Sequence, residues 1–259
     1  MISLSSDPQQ QSDDRYSVML AHFALCTPRT QQPRSMLCRV LDGRGLEDVW
    51  QSDAVILTPE ERAHYHAALK HPRTHAMAVR SRAELRRMLA RETGLPPHQV
   101  PILCDTHGKP CCPHPGVADL DFSVSHTEEC AIIALGEAAG IGVDVEQVLE
   151  KEPAGEYLDI VFNEDEFRAW ATLTPEQRRL SFTQAWTIKE AVLKALGMGL
   201  DGDTHSVSVT FDADGHAWPV LPPEWVFERI AFCPRYAASF VAWMPGEDRP
   251  RERMAACAL

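Results

Sequence analysis

Between Asp121 and Glu146 the chain carries three short apolar runs, Asp121 to Ser125, Cys130 to Leu135 and Ile141 to Glu146, with only four or five residues between neighbours. Connections that short make hairpins of antiparallel strands, because a parallel crossover needs a dozen residues or more. Helical stretches lie on both sides of this block. Thr58-Pro59-Glu60-Glu61 opens one: Thr58 caps, Pro59 suits the first helical position and Glu61 completes a capping box. A second helix is predicted from about Arg73 to Thr93, stopping at Gly94 with Pro96 and Pro97 beyond, and with Ala78, Leu85 and Leu89 on its buried side. Asn163 and Glu166 form another capping-box pattern, and Thr174-Pro175 opens a long helix that ends at Gly197. Further strands are expected at Tyr16 to Leu25, Val100 to Cys104, Val207 to Phe211, Trp225 to Ile230 and Ala237 to Trp243, and a turn at Thr106 to Pro110. No short-period repeat is present. Helices alternating irregularly with hairpin-linked strands predict an α+β fold.

The bulk numbers narrow the function. Of 259 residues, 44% are hydrophobic and 24% charged, as in ordinary globular chains, and only the polar stretch from Met1 to Asp14 reads as a loose tail. The net charge of -12 argues against a general nucleic-acid binder. It leaves room for an anionic small substrate held by local basic groups. The best apolar run, Ala131 to Leu135, is broken by Gly136 and Glu137, where a membrane span needs roughly 20 apolar residues. No basic region followed by an apolar stretch opens the chain, so a cytoplasmic location is expected and disulfides are disfavoured. Cys104, His107, Cys111, Cys112 and His114 cluster without a C-x-x-C pair, and are read as buried or loop thiols in preference to a zinc site.

Three segments carry chemistry. In Gly140-Ile141-Gly142-Val143-Asp144-Val145-Glu146 a strand would turn Asp144 and Glu146 to one face. Adjacent carboxylates repel unless a cation lies between them, and hard oxygen ligands suit magnesium. The alternative is a solvated polar face at a strand end. In the helix from Phe182 to Gly197, Glu190 and Lys194 are four apart on one face. They make either a surface ion pair or a third metal carboxylate with a cation for a phosphate oxygen; Trp186 is core or site wall. In Phe122-Ser123-Val124-Ser125-His126-Thr127 a histidine flanked by hydroxyls either holds a phosphate or is simply hydrogen-bonded structure. The chain has no G-x-x-x-x-G-K-[ST] loop to support a nucleoside-triphosphate enzyme.

With Gly108-Lys109-Pro110, these segments resemble the surfactin-synthetase type of 4'-phosphopantetheinyl transferase. That family shows a G-K-P turn, an S-H strand, a G-(I/V)-D-x-E strand and a W-(S/T)-x-K-E-(A/S)-x-x-K helix, in this order. The resemblance covers roughly Thr58 to Phe211. It implies two similar α+β lobes in one monomeric chain, related by a pseudo-twofold axis, with coenzyme A in the cleft between them. The lobes would span 15–137 and 138–250, with tails at 1–14 and 251–259.

The implied reaction moves the 4'-phosphopantetheine arm of coenzyme A to a serine of an apo acyl or peptidyl carrier protein, releasing 3',5'-ADP. Neither nucleic acid nor membrane would be a partner. The metal would be magnesium, with manganese possible, on Asp144, Glu146 and Glu190. His126 and Lys194 match groups that act on the coenzyme A pyrophosphate, with Ser125 beside them and Lys189 in the K-E pair also among the coenzyme-binding residues. Lys109 and Pro110 match the nucleotide end; Lys70, Arg73 and Arg86 match cations for the 3'-phosphate. Glu166 matches the base for the acceptor serine, the other reading being a helix cap on Asn163, with Glu164 and Asp165 as competing carboxylates. Ser123-Val124 and Thr127 depart from the family's usual Asn-Ile or Asn-Leu and Ser. A catalytically inactive carrier-binding homologue is the alternative function. Arg80, Arg82, Arg87 and Arg91 are either a docking face for an acidic carrier or a solvated helix face, with Met198 and Leu200 as apolar contacts.

Overall fold

A computed structural model describes residues 18–25, 34–43, 46–67, 72–199 and 202–244. Lys70, Leu200 and the two expected tails lie outside the described residues. The first half runs β1 (Val18–Leu25), β2 (Arg34–Asp42), α1 (Val49–Ser52), α2 (Pro59–Ala67), α3 (Pro72–Thr93), β3 (Leu103–Cys104), β4 (Pro110–Cys111), β5 (Leu120–His126) and β6 (Cys130–Glu137). The second runs β7 (Gly140–Gln147), α4 (Gly155–Val161), α5 (Glu164–Ala171), α6 (Pro175–Leu196), β8 (Val209–Phe211), β9 (Ala217–Pro219), β10 (Trp225–Arg229) and β11 (Tyr236–Trp243). The fold is α+β, as expected. An antiparallel sheet in the order β1-β2-β6-β5 backs α3, and a second in the order β10-β11-β7 backs α6. Each lobe thus lays one 22-residue helix across an antiparallel sheet.

The alternation of β6 explains how the lobes join. Ala131, Ile133 and Leu135 pack toward α3, while Cys130, Ile132 and Ala134 face the second sheet. There they meet Ile141, Val143 and Val145 of β7 and Ala238, Phe240 and Ala242 of β11 in one shared core. A strand covered on both faces reads as a continuous apolar run, which is how β6 reads. β5 is tied to β7 by side chains: Ser123 Oγ accepts from Val143 N (3.1 Å) and Ser125 Oγ from Val145 N (3.3 Å). These two hydroxyls, with Ser123 at the position where the family usually carries Asn, therefore pin the two sheets together.

The helix caps form as read. Thr58 and Glu61 exchange backbone bonds at 3.0 and 3.2 Å, and α6 starts on a Thr174–Gln177 box and stops at Gly197 in the left-handed region. Cys111 is disulfide-bonded, against the expectation, whereas Cys38, Cys104, Cys112, Cys130 and Cys233 are free thiols.

Arg80, Arg82, Arg86 and Arg87 of α3 are structural. Arg86 is 2% exposed and spends its guanidinium on Glu61 (2.8 Å) and on the carbonyls of Pro97 and Val100. It is a strut between α2, α3 and the loop beyond, which corrects its expected contact with a coenzyme phosphate. Arg82 also bonds Glu61, while Arg80 and Arg87 pair with Asp53. These partners use up most of the expected docking face. Burial would raise the pKa of Glu61, but Arg86, Arg82 and the Thr58 N–H outweigh it and hold the carboxyl below its usual range. A lowered native pKa stabilises the fold above the unfolded-state range, and that contribution is lost as pH falls through the native value. Glu61→Gln is accordingly expected to flatten the fall in stability on acidification, read by urea unfolding from neutral to acid pH.

Candidate active site

Period-two alternation leaves Gly142, Asp144 and Glu146 on the β7 face opposite the shared core, turned to α6. Gly142 sets how close that helix comes. A Cβ there would stand 1.7 Å from Ala191 O and 2.8 Å from Ala195 N. The strand and helix meet backbone to backbone, and α6 brings Glu190 and Lys194 up to Asp144. Gly142→Ala must push α6 away; a loss of about 3 kcal/mol in urea unfolding is expected, together with loss of the site.

Lys194 Nζ donates to Asp144 Oδ1 (2.6 Å) and Val143 O (3.2 Å), and Ser125 Oγ donates to the same Oδ1 (2.8 Å). Asp144 is 3% exposed, and its Oδ2 is buried without a hydrogen-bond partner. Asp144, Glu146, Glu190, Lys194, Ser125 and His126 all line one cavity of about 510 Å³, walled by Trp186 and Ile160. Burial first, then repulsion from Asp144 and Glu190, lifts Glu146 to about 7 despite Lys194; burial and Asp144 likewise raise Glu190. His126 stands exposed at the end of β5, its pKa lowered by desolvation and by Lys194, so the ring is neutral at neutral pH.

Among the described residues, no three His, Cys, Asp or Glu side chains stand close enough to form a ready-made metal cage. Magnesium does not require one, since it is held by one or two carboxylates plus phosphates and water. The orphaned Oδ2 and the mutually repelling carboxylates fit such an ion.

Other expected residues lie elsewhere. Glu166 is 5% exposed and does not line the cavity. Its Oε2 accepts from Asn163 N (3.0 Å) and Lys189 Nζ (2.7 Å), its Oε1 from Val209 N (2.8 Å). The capping reading is the one the structure carries, and Asn163 completes the box. Lys189 is fully buried against Glu166, which corrects its expected contact with coenzyme A. Lys109 Nζ is held by Asp121 (2.5 Å) and Ile141 O (3.1 Å), and Asp121 also takes Ile141 N, a stitch between the lobes. Lys109 and Pro110 line a separate cavity of about 480 Å³ with Val117 and Phe122. Arg73 is exposed beside Glu129 (3.8 Å) in a third cavity, of about 460 Å³, with Arg235 and Tyr236. Gly199, Gly202 and Thr204 line the acidic cavity without having been singled out; the signal was the glycine run after α6. Gly199 packs its Cα side on His107 O, so this loop closes on the G-K-P turn.

A half-buried acidic cavity with a lysine and a neutral histidine suits a transferase working on a phosphorylated substrate. The family model of the 4'-phosphopantetheinyl transferase superfamily matches residues 140–241. A Synechocystis sp. protein carrying the 4'-phosphopantetheinyl transferase name is 30% identical over 176 residues, 68% of this chain and 69% of its own length. The 4'-phosphopantetheinyl transferase of Bacillus subtilis is 28% identical over 53% of this chain and 59% of its own. HetI of Nostoc sp., of the same name, is 31% identical over 46% and 51%. A solved holo-(acyl-carrier-protein) synthase from Bacillus anthracis, in complex with CoA (3',5'-ADP), is 19% identical with a TM-score of 0.33, over 42% of this chain and 98% of its own. The chain belongs to the 4'-phosphopantetheinyl transferase family. Within it, the Sfp protein of Bacillus subtilis is 27% identical over 53% of this chain, in keeping with the surfactin-synthetase type.

Proposed function

We propose that this chain transfers 4'-phosphopantetheine from coenzyme A to a serine of an apo carrier protein in the acidic cavity, with magnesium on Asp144, Glu146 and Glu190. The observation that carries the reading is the convergence of β7 and α6 on one buried carboxylate, Asp144, which holds Lys194 and keeps one oxygen unpartnered. Bound there, magnesium would neutralise charge on the transferring diphosphate. Lys194 supplies a cation 2.6 Å from Asp144, able to hold a phosphate oxygen at the same point. His126, neutral and exposed at the rim, can donate or accept one hydrogen bond to the diphosphate or the serine. Glu166, locked in its ion pair, leaves the serine proton to acceptors in the cavity itself. The enzyme is read as a monomer, since its cavity draws on both halves of one chain.

The test is mass spectrometry of an apo carrier incubated with coenzyme A and magnesium. A gain of one phosphopantetheine is expected, and no gain with any carrier in a broad panel would end the reading in favour of an inactive carrier-binding homologue. Magnesium with coenzyme A should also raise the melting temperature, by the equivalent of about 2.7 kcal/mol at a hundredfold excess over Kd.

A further inference from the structure

The acceptor serine has to enter the acidic cavity, so the carrier must rest on the surface that frames its mouth. On one side that frame is α4. Ile160 lines the cavity and is 49% exposed, and Tyr157, one turn earlier on the same helix face, is 53% exposed. Thr204 Oγ1 bonds Ile160 O and His205 Nε2 lies 2.9 Å from Asp159 O, fixing α4 to the loop after α6. Met198, 39% exposed, adjoins Gly199 in the cavity wall. On the far side of Tyr157 the apolar surface continues into a shallow groove of about 400 Å³ with Leu149 and Phe182. The surface is therefore an apolar strip that runs into the cavity.

Its rim is acidic. Glu150, Glu156, Asp159 and Asp203 are all exposed along it. The neighbouring cations are Lys151, Arg178 and Arg179; Arg178 is paired with Glu152 (3.6 Å) and the Arg179 guanidinium is turned onto Glu150 O (2.7 Å). A strongly acidic helix laid on this strip would meet like charge, which slows encounter and costs affinity. Arg80, Arg82, Arg86 and Arg87 of α3 do not offset it, because Glu61, Asp53 and Glu84 already hold them.

Resting on the transferase reading above, we propose that the carrier docks on the Leu149–Tyr157–Ile160–Met198 strip through an apolar helix flanked by neutral or basic residues. Carriers with an acidic flank are poor substrates, and the acidic rim of α4 is the specificity filter.

The test compares one acidic apo carrier with a version of it whose acidic residues flanking the serine helix are changed to Gln and Asn. The expected result is a kcat/KM about tenfold higher for the neutralised carrier at low salt, a gap that narrows as salt rises. Glu156→Lys with Asp159→Lys, both exposed and outside the cavity, should close that gap by improving use of the acidic carrier. Tyr157→Ser should raise the KM for either carrier about tenfold while leaving the KM for coenzyme A unchanged. Equal or better use of the acidic carrier by the parent enzyme, or an unmoved carrier KM in Tyr157→Ser, overturns the proposal. Failure of every carrier to gain mass would instead strike the transferase reading itself.

Discussion

Lys189→Met is expected to cost about 3–5 kcal/mol of stability. Lys189 is fully buried, with Glu166 as its 2.7 Å partner, and burial lowers its pKa even with Glu166 alongside. Removing the ammonium leaves Glu166, 5% exposed, as a buried carboxylate balanced only by the N–H groups of Asn163 and Val209. The bonds of Glu166 to Lys189 and Val209 hold α5, α6 and β8 to one another, so the loss should appear as global unfolding at lower urea. Removing both charges in Lys189→Met with Glu166→Gln should recover part of the loss, giving a coupling of roughly 0.5–3 kcal/mol in a double-mutant cycle. Transfer by Glu166→Gln should fall only as far as its folded fraction falls. A fully folded Glu166→Gln that has lost transfer would return Glu166 to the role of base.

The next residue along α6 is expected to behave in the opposite way. Glu190 faces the cavity, and burial together with repulsion from Asp144 raises its pKa. Glu190→Gln removes a repelling charge, so the protein should melt no lower than the parent. Transfer should nevertheless drop by about a thousandfold or more, because the proposed cation would lose one of its oxygen ligands. Asp144→Asn should lose transfer as well and also release Lys194. Mass spectrometry of the carrier and a melting curve on the same preparations decide both points, and near-parental transfer in either variant would remove these carboxylates from the metal site.

Much of this was legible in the residues. Caps at Thr58, Asn163 and Thr174 are local chemistry, written within four residues, and all three form. The period of two in β7 put Asp144 and Glu146 on one face, as read, because alternation is a property of any strand. What escaped was long-range. Arg34–Asp42, which forms β2, gave no strand signal strong enough to note, yet β2 lies at the centre of its sheet between β1 and β6. Nothing near Arg86 reveals that Glu61, 25 positions away, will claim it. Lys109 was read as a ligand to nucleotide because its turn is recognisable, but its ammonium is spoken for by Asp121 and a carbonyl of β7. Motif order located the cavity; which cations remain for a ligand depended on packing.

The shared apolar layer between β2–β6 and β7–β11 limits how this protein can be divided. A fragment starting at Gly140 would keep Asp144, Glu146, Glu190 and Lys194 and would look self-sufficient by motif. It would also open the faces of Ile141, Val143, Val145 and Phe240 to water and lose the two serine hydroxyls that fasten Val143 and Val145. Cut between Glu137 and Gly140, the two pieces should be inert and sticky apart and regain transfer when mixed, which makes the seam a natural place to split the enzyme into a complementing reporter.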